Sequence, residues 1–264
     1  MGAAEHWPSA CVALTVHVDG LKGVTPEQAR AALSAAARAW SHESIPCTGL
    51  QIALAFEAGP GPRSANDGVA VVGAQPDQWC LADADPNRDC TSPSAVASTS
   101  VYAKDKDGTI LDADIQLNPI NISWSVTDTP ERDTVDQDLQ AALTHELGHL
   151  LGFQHPCWSG FGPRFTDDHG QPVPDCYDAP KEVKASVMFP STEPGDVTKR
   201  VLSPEDQRGA CEIYPAATAP AACPAPPSSS GCAVGGRPAG SFLPVLVACA
   251  PLLLRRARRR PAPR

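Results

Sequence analysis

Apolar residues alternate with polar or small ones in five stretches: CVALTVHV (11–18), LQIALAF (50–56), GVAVVG (68–73), AVASTSVYA (95–103) and TILDADIQLN (109–118). A period of two sends successive side chains to opposite faces of a strand, so these stretches predict a sheet. The Gly, Pro, Asn and Asp clusters between them predict its turns, and Asp107-Gly108 is a hairpin signal. Elsewhere the period lengthens to that of a helix. Ala29, Leu33, Ala36 and Trp40 follow Thr25-Pro26-Glu27-Gln28, which reads as N-cap, N1 proline and capping-box partner. Thr134 with Gln137 predicts the start of a second helix, carrying Leu139, Leu143, Leu147, Leu150 and Leu151, and Ser203-Pro204 the start of a third. Five strands and three helices in about 215 residues predict one α+β domain, long enough for a full core.

The second helix holds the chemistry. In HELGHLLGFQH (145–155), His145 and His149 lie one helical turn apart on one face, close enough to share a metal ion. Gly152 stands where a left-handed C-cap can end the helix and swing the chain back to deliver His155. Three imidazoles leave the fourth tetrahedral position of a zinc ion open, the mark of a catalytic and not a closed structural site. Such an ion acidifies water and polarises a carbonyl, and Glu146 is placed to take the proton, so amide hydrolysis is the expected reaction. The bland alternative is a buried amphipathic helix with packed histidines. Five fixed positions in place of the three of a bare HExxH argue against it.

This run resembles the signature of the metzincin zinc peptidases, H-E-x-x-H-x-x-G-x-x-H followed by a Met-turn. SVMFP (186–190) is the candidate turn, and the resemblance implies that Met188, one of only two methionines in the chain, lies beneath the ion. The Met-x-Pro form resembles matrixins, and LSPEDQRGACEIY (202–214) resembles the last helix of a matrixin catalytic domain. The resemblance spans residues 10–214. It implies a twisted, mostly parallel sheet with an antiparallel edge strand and three helices, Zn2+ as cofactor, His145, His149 and His155 as ligands, Glu146 as catalytic base, and a protein or peptide substrate. In the family the edge strand runs along the cleft and pairs with an extended substrate. DADIQLN (112–118) reads as that strand, an ordinary amphipathic sheet edge being the alternative.

Composition is globular, with 42% hydrophobic and 19% charged residues. The net charge is −9, but residues 255–264 hold six arginines and no acid, so residues 1–254 carry 15 Lys and Arg against 30 Asp and Glu, a net of −15. A nucleic-acid partner is not expected of so acidic a domain. Ten cysteines fit an oxidising compartment. Cys80 with Cys90 and Cys157 with Cys176 are close enough to staple their own loops, Cys11 with Cys47 is a candidate third bridge, and Cys211 and Cys223 have no assigned partner. DADPNRD (83–89) places oxygens at alternate residues as a calcium loop does, and matrixins often bind Ca2+. It lacks the sixth-position glycine and twelfth-position glutamate of an EF-hand, so a solvated acidic turn is the preferred reading and calcium the alternative.

After Tyr214 the composition changes. The expected organisation is a peptidase domain over 1–215, a Pro/Ala/Ser-rich linker over 216–236 and a C-terminal tail over 237–264, with an apolar run (241–254) and an arginine cluster. Its order of Cys232, short apolar span and terminal arginines resembles the C-terminal sorting tails of myxobacterial surface proteins. That resemblance implies processing near Cys232, with this residue a candidate for lipid attachment; a simple tail anchor is the alternative. The N-terminal MGAAEHWPSAC shows neither the basic nor the apolar region of a signal peptide, so either the start is truncated or export is unusual. Thirty-three positions separate His155 from Met188, more than is usual in matrixins, and the excess holds a loop containing His169 that is best read as solvated. The expectation is a monomeric, secreted or surface-anchored zinc endopeptidase, its rival a catalytically idle surface module that uses the same cleft to bind a partner.

Overall fold

A computed structural model describes residues 4–74, 79, 93–129, 134–160, 164–167 and 170–226, all within one compact unit, Met1–Gly231. Each stretch of alternating sequence forms a strand: β1 (Cys11–His17), β2 (Gln51–Phe56), β3 (Val71–Ala74), β4 (Ala97–Ala103) and β5 (Ile110–Leu117). They join in the order β2-β1-β3-β5-β4, with β4 antiparallel to β5 and the other pairs parallel. Two further short strands, β6 (Trp124–Ser125) and β7 (Gln137–Asp138), pair with each other.

The edge position differs from the sequence reading. The outermost strand is β4, not the 112–118 stretch, which belongs to β5 and lies between β3 and β4. An amphipathic edge would leave its acids in water, yet Asp112 and Asp114 are buried. Backbone amides replace water there. One Asp112 oxygen accepts from Asp67 N and Gly68 N, and the Asp114 carboxylate accepts from Ala65 N and Val71 N, all at 2.7–3.0 Å. A carboxylate buried among amide donors is solvated by them, so a period of two can arise in an interior strand.

Helix α1 (Pro26–Trp40) begins as expected. Thr25 Oγ1 accepts from Gln28 N and Gln28 Oε1 accepts from Thr25 N, a reciprocal capping box. Helix α2 (Leu139–Leu150) starts later than Thr134, because Gln137 and Asp138 are still extended in β7. Its N-cap is Asp138, whose carboxylate accepts from Ala141 N at 2.7 Å and from Arg200 Nε at 2.9 Å, while Thr134 Oγ1 caps a local turn at Asp136 N. A five-residue α3 (Lys181–Ala185), absent from the sequence reading, precedes α4 (Pro204–Ile213), which opens on a Ser203/Asp206 capping box. Trp40 is fully buried, and its indole Nε1 donates to Thr144 O at 2.8 Å, fastening α1 to α2 through the core formed by Leu14, Leu33, Leu143 and Leu147.

Cys157 pairs with Cys176 as expected. The pairing of Cys11 with Cys47 does not form: Cys11 bonds Cys223 and Cys47 bonds Cys211. Residues 216–223, which composition marks as spacer, are therefore tied to β1, and Gln51 Nε2 donates to Pro220 O at 2.9 Å. Three disulfides are typical of extracellular proteins. Among the described residues no helix is long and apolar enough to cross a membrane. The Cys80/Cys90 pair, the acidic run 83–89, His169 and the tail with Cys232 lie outside the described residues.

Replacing Cys11 and Cys223 together by serine should lower the unfolding free energy by about 2–5 kcal/mol. Guanidinium melts of the oxidised proteins read this directly; an unchanged midpoint would mean that the segment after α4 contributes no covalent restraint.

Candidate metal centre

Two glycines shape the centre. Gly152 (φ 99°) ends α2 in the left-handed conformation, with Gly152 N donating to His149 O and Phe153 N to Gly148 O, both at 2.9 Å. A side chain at this position would also run into the backbone carbonyl of Glu5. Gly148 lies where a Cβ would meet the Met188 thioether and the Trp40 ring, so its bare backbone lets the Met188 segment press against the helix.

The turn at Gly152 brings His155 back to the two helical histidines. Nε2 of His149 is 3.1 Å from Nε2 of His145 and 3.0 Å from that of His155, and the remaining Nε2 pair is 3.4 Å apart. Three ligand nitrogens at about 2.0–2.1 Å from one ion, at tetrahedral angles, stand roughly 3.3 Å from one another. The trio fits a metal ion of that size. Among the described residues it is the one group of three or more His, Cys, Asp or Glu side chains that can close on a single ion.

The imidazoles are also in the right protonation state. Burial disfavours the cationic form of His145 and His149, and His155 is pushed down to about 3 by burial and by its two neighbours. With Nδ1–H donated to Val187 O from His145 (2.7 Å) and to Phe153 O from His149 (2.8 Å), each of these two rings turns a lone pair at Nε2 toward the shared point.

Glu146 is buried beside the trio. Thr99 Oγ1, from β4, donates to Glu146 Oε2 at 2.5 Å. Burial raises the carboxyl above its ordinary value, while His149 and the Thr99 hydrogen bond pull it down. A carboxylate made more basic than usual beside an open metal position is suited to accept and pass on a proton. The trio and Glu146 face a cleft of about 730 Å³ whose walls include Ala95 and Val96, Ala97–Thr99 at the start of β4, and Phe189–Thr192 beyond Met188.

Asp206 ties this wall together, and the sequence reading did not single it out. Its carboxylate accepts from Ser186 Oγ (2.6 Å) and Val187 N (2.9 Å) on one side and from Ser203 N (2.8 Å) and Ser203 Oγ (2.7 Å) on the other. One acid thus caps α4 and fixes the segment whose Val187 carbonyl orients His145. The capping-box position after Ser203-Pro204 signals the first role; nothing local signals the second. Met188 is buried, and its N–H donates to Ser186 Oγ (3.0 Å). Thr99, too, lies 47 residues from its partner and carries no motif.

No protein-family model matches this chain. No curated protein matches it either. Among solved structures it is similar to that of Myroilysin, at 14% sequence identity over 80% of this chain and 82% of that one, with a TM-score of 0.35. So loose a likeness carries no argument, and the centre is judged on its own geometry.

Asp206→Ala should weaken zinc binding by about tenfold or more, because it frees the Val187 carbonyl that holds His145. Competition with a colorimetric chelator measures this; unchanged affinity would mean that the Val187 segment is held without Asp206.

Proposed function

We propose that this chain is a zinc-dependent endopeptidase of the metzincin type, matrixin-like in its Met188-Phe189-Pro190 turn, working in an oxidising extracytoplasmic setting. The observation that carries the reading is the convergence of three imidazoles, Nε2 to Nε2 at 3.0–3.4 Å, on the wall of an open cleft with a buried glutamate beside them. His145, His149 and His155 would hold the ion, and three borderline nitrogen donors with one position open suit zinc. Bound there, zinc supplies the Lewis acidity that acidifies a water and polarises the scissile carbonyl.

The chain's own groups do the rest. Thr99 Oγ–H holds Glu146 Oε2, leaving Oε1 to take the water's proton and deliver it to the departing amine. Val187 O and Phe153 O keep the His145 and His149 rings in the tautomer that points Nε2 into the cleft. The outer edge of β4 has no partner strand among the described residues, and its free backbone groups can pair with an extended peptide. On this reading the substrate is a protein or peptide, and the tail over 237–264, with Cys232 near the processing point, serves surface sorting or anchoring.

The purified, oxidised chain should degrade an unfolded protein substrate, and chelation of zinc should abolish the activity. Glu146→Ala should lower the rate by at least about 10²–10⁴-fold with zinc stoichiometry unchanged. A wild-type chain that binds zinc and cuts nothing would overturn the proposal.

A further inference from the structure

The N-terminal segment brings a carboxylate to the cleft. Trp7 fastens it: its indole Nε1 donates to Leu150 O at 2.8 Å, and its N–H donates to the Tyr214 hydroxyl at 3.0 Å, which in turn donates to Leu151 O. These carbonyls lie at the C-terminal end of α2, where no further helical turn satisfies them, so the segment also completes the helix. His6 holds it on the other side, with His6 N donating to Gly108 O and His6 O accepting from Ile110 N. Glu5 comes just before both anchors. Its carbonyl rests against Gly152, and the half-buried residue lines the cleft.

Glu5 thus stands beside the third candidate metal ligand. Its Oε2 accepts from Gln154 Nε2 at 3.2 Å, and Gln154 and His155, successive residues, line the cleft with it. Gln154 is neutral, and among the described residues no lysine, arginine or histidine pairs with Glu5 within 4.0 Å. A carboxylate can accept several hydrogen bonds, and one amide leaves most of that capacity free. The other charged side chains on the cleft wall are already engaged. Thr99 holds Glu146 beside the metal site, while Lys199 donates to Lys184 O and Ser186 O with Asp196 and Asp206 near enough to offset its charge. Glu5 is therefore the charge that the cleft offers to an incoming chain away from the reacting atoms. The acidic balance of residues 1–254 has the same sign and draws cations toward it.

We infer that Glu5 selects a cationic side chain, Lys or Arg, at one position of the substrate a few residues from the bond that is cut. The inference rests on the peptidase reading and narrows its substrate class. The ammonium or guanidinium donates to the Glu5 carboxylate, and the bound peptide covers the pair, which strengthens it beyond an ion pair left in water. A glutamate on a loose terminus would lose that gain to its own ordering. Here Trp7 and His6 fix the backbone on which it stands before any substrate arrives.

The test uses the full-length oxidised, zinc-loaded protein and a degenerate mixture of N-acetylated peptides, with cut sites read by mass spectrometry, followed by matched peptides carrying Lys, Arg, Gln or Glu at the enriched position. The expected result is enrichment of Lys and Arg at one position, with kcat/KM for Lys exceeding that for Gln by about three- to tenfold at low salt and the ratio shrinking as ionic strength rises. Glu5→Gln keeps an acceptor for Gln154 and removes the charge, so its Lys-to-Gln ratio should fall to about one. In Glu5→Lys the peptide carrying Glu should be preferred. Cleavage without basic enrichment, equal use of Lys and Gln, or a ratio unmoved by salt or in Glu5→Gln would overturn the assignment and leave the peptidase reading standing. If the protein cuts nothing, that reading falls, and Glu5 is judged by calorimetric binding of peptides that differ only in Lys against Gln to the zinc-loaded protein. A Lys preference there that disappears in Glu5→Gln supports the assignment, and equal binding overturns it.

Discussion

Everything in this domain answers to one awkward requirement: three nitrogen lone pairs must be held facing one another at little more than 3 Å. Without a cation between them they repel, and in water each ring would turn away or take up a proton. The fold denies both escapes. Burial makes protonation unfavourable, backbone carbonyls behind His145 and His149 fix the tautomer, and the helix and its turn remove rotational freedom. The three rings are thus held for a shared ion by the fold around them.

That organisation draws on distant parts of the chain. The helix supplies two rings, and its broken end supplies the third. The wall that orients His145 is pinned by Asp206 from α4, and Gly148 lets Met188 and Trp40 close on the helix from two sides. Glu146 is steadied from the sheet edge by Thr99.

Features with a local cause were legible in the sequence. The five alternating stretches became five strands, and the Thr25/Gln28 and Ser203 caps opened helices where expected. The spacing of His145, His149, Gly152 and His155 foretold the convergence, since a helical repeat and one left-handed residue suffice to produce it. Features that depend on which segments meet in space were not legible. Two acids in alternation look the same whether water or backbone amides solvate them, so the pattern alone does not tell the interior β5 from the edge strand β4. The partners of Cys11 and Cys47 lie more than 160 residues away, and sequence proximity misled. The start of α2 slipped from Thr134 to Asp138 because an intervening strand pair, itself a tertiary contact, keeps Gln137 extended.

The Cys11–Cys223 bridge joins residues 212 positions apart and so makes nearly all of the described domain a closed covalent loop, with Cys47–Cys211 a second tie inside it. A single cut anywhere between Cys11 and Cys223 opens the loop without releasing a fragment. A chain nicked once in a surface segment can then keep its histidine trio assembled, so damage shows on a gel only after reduction.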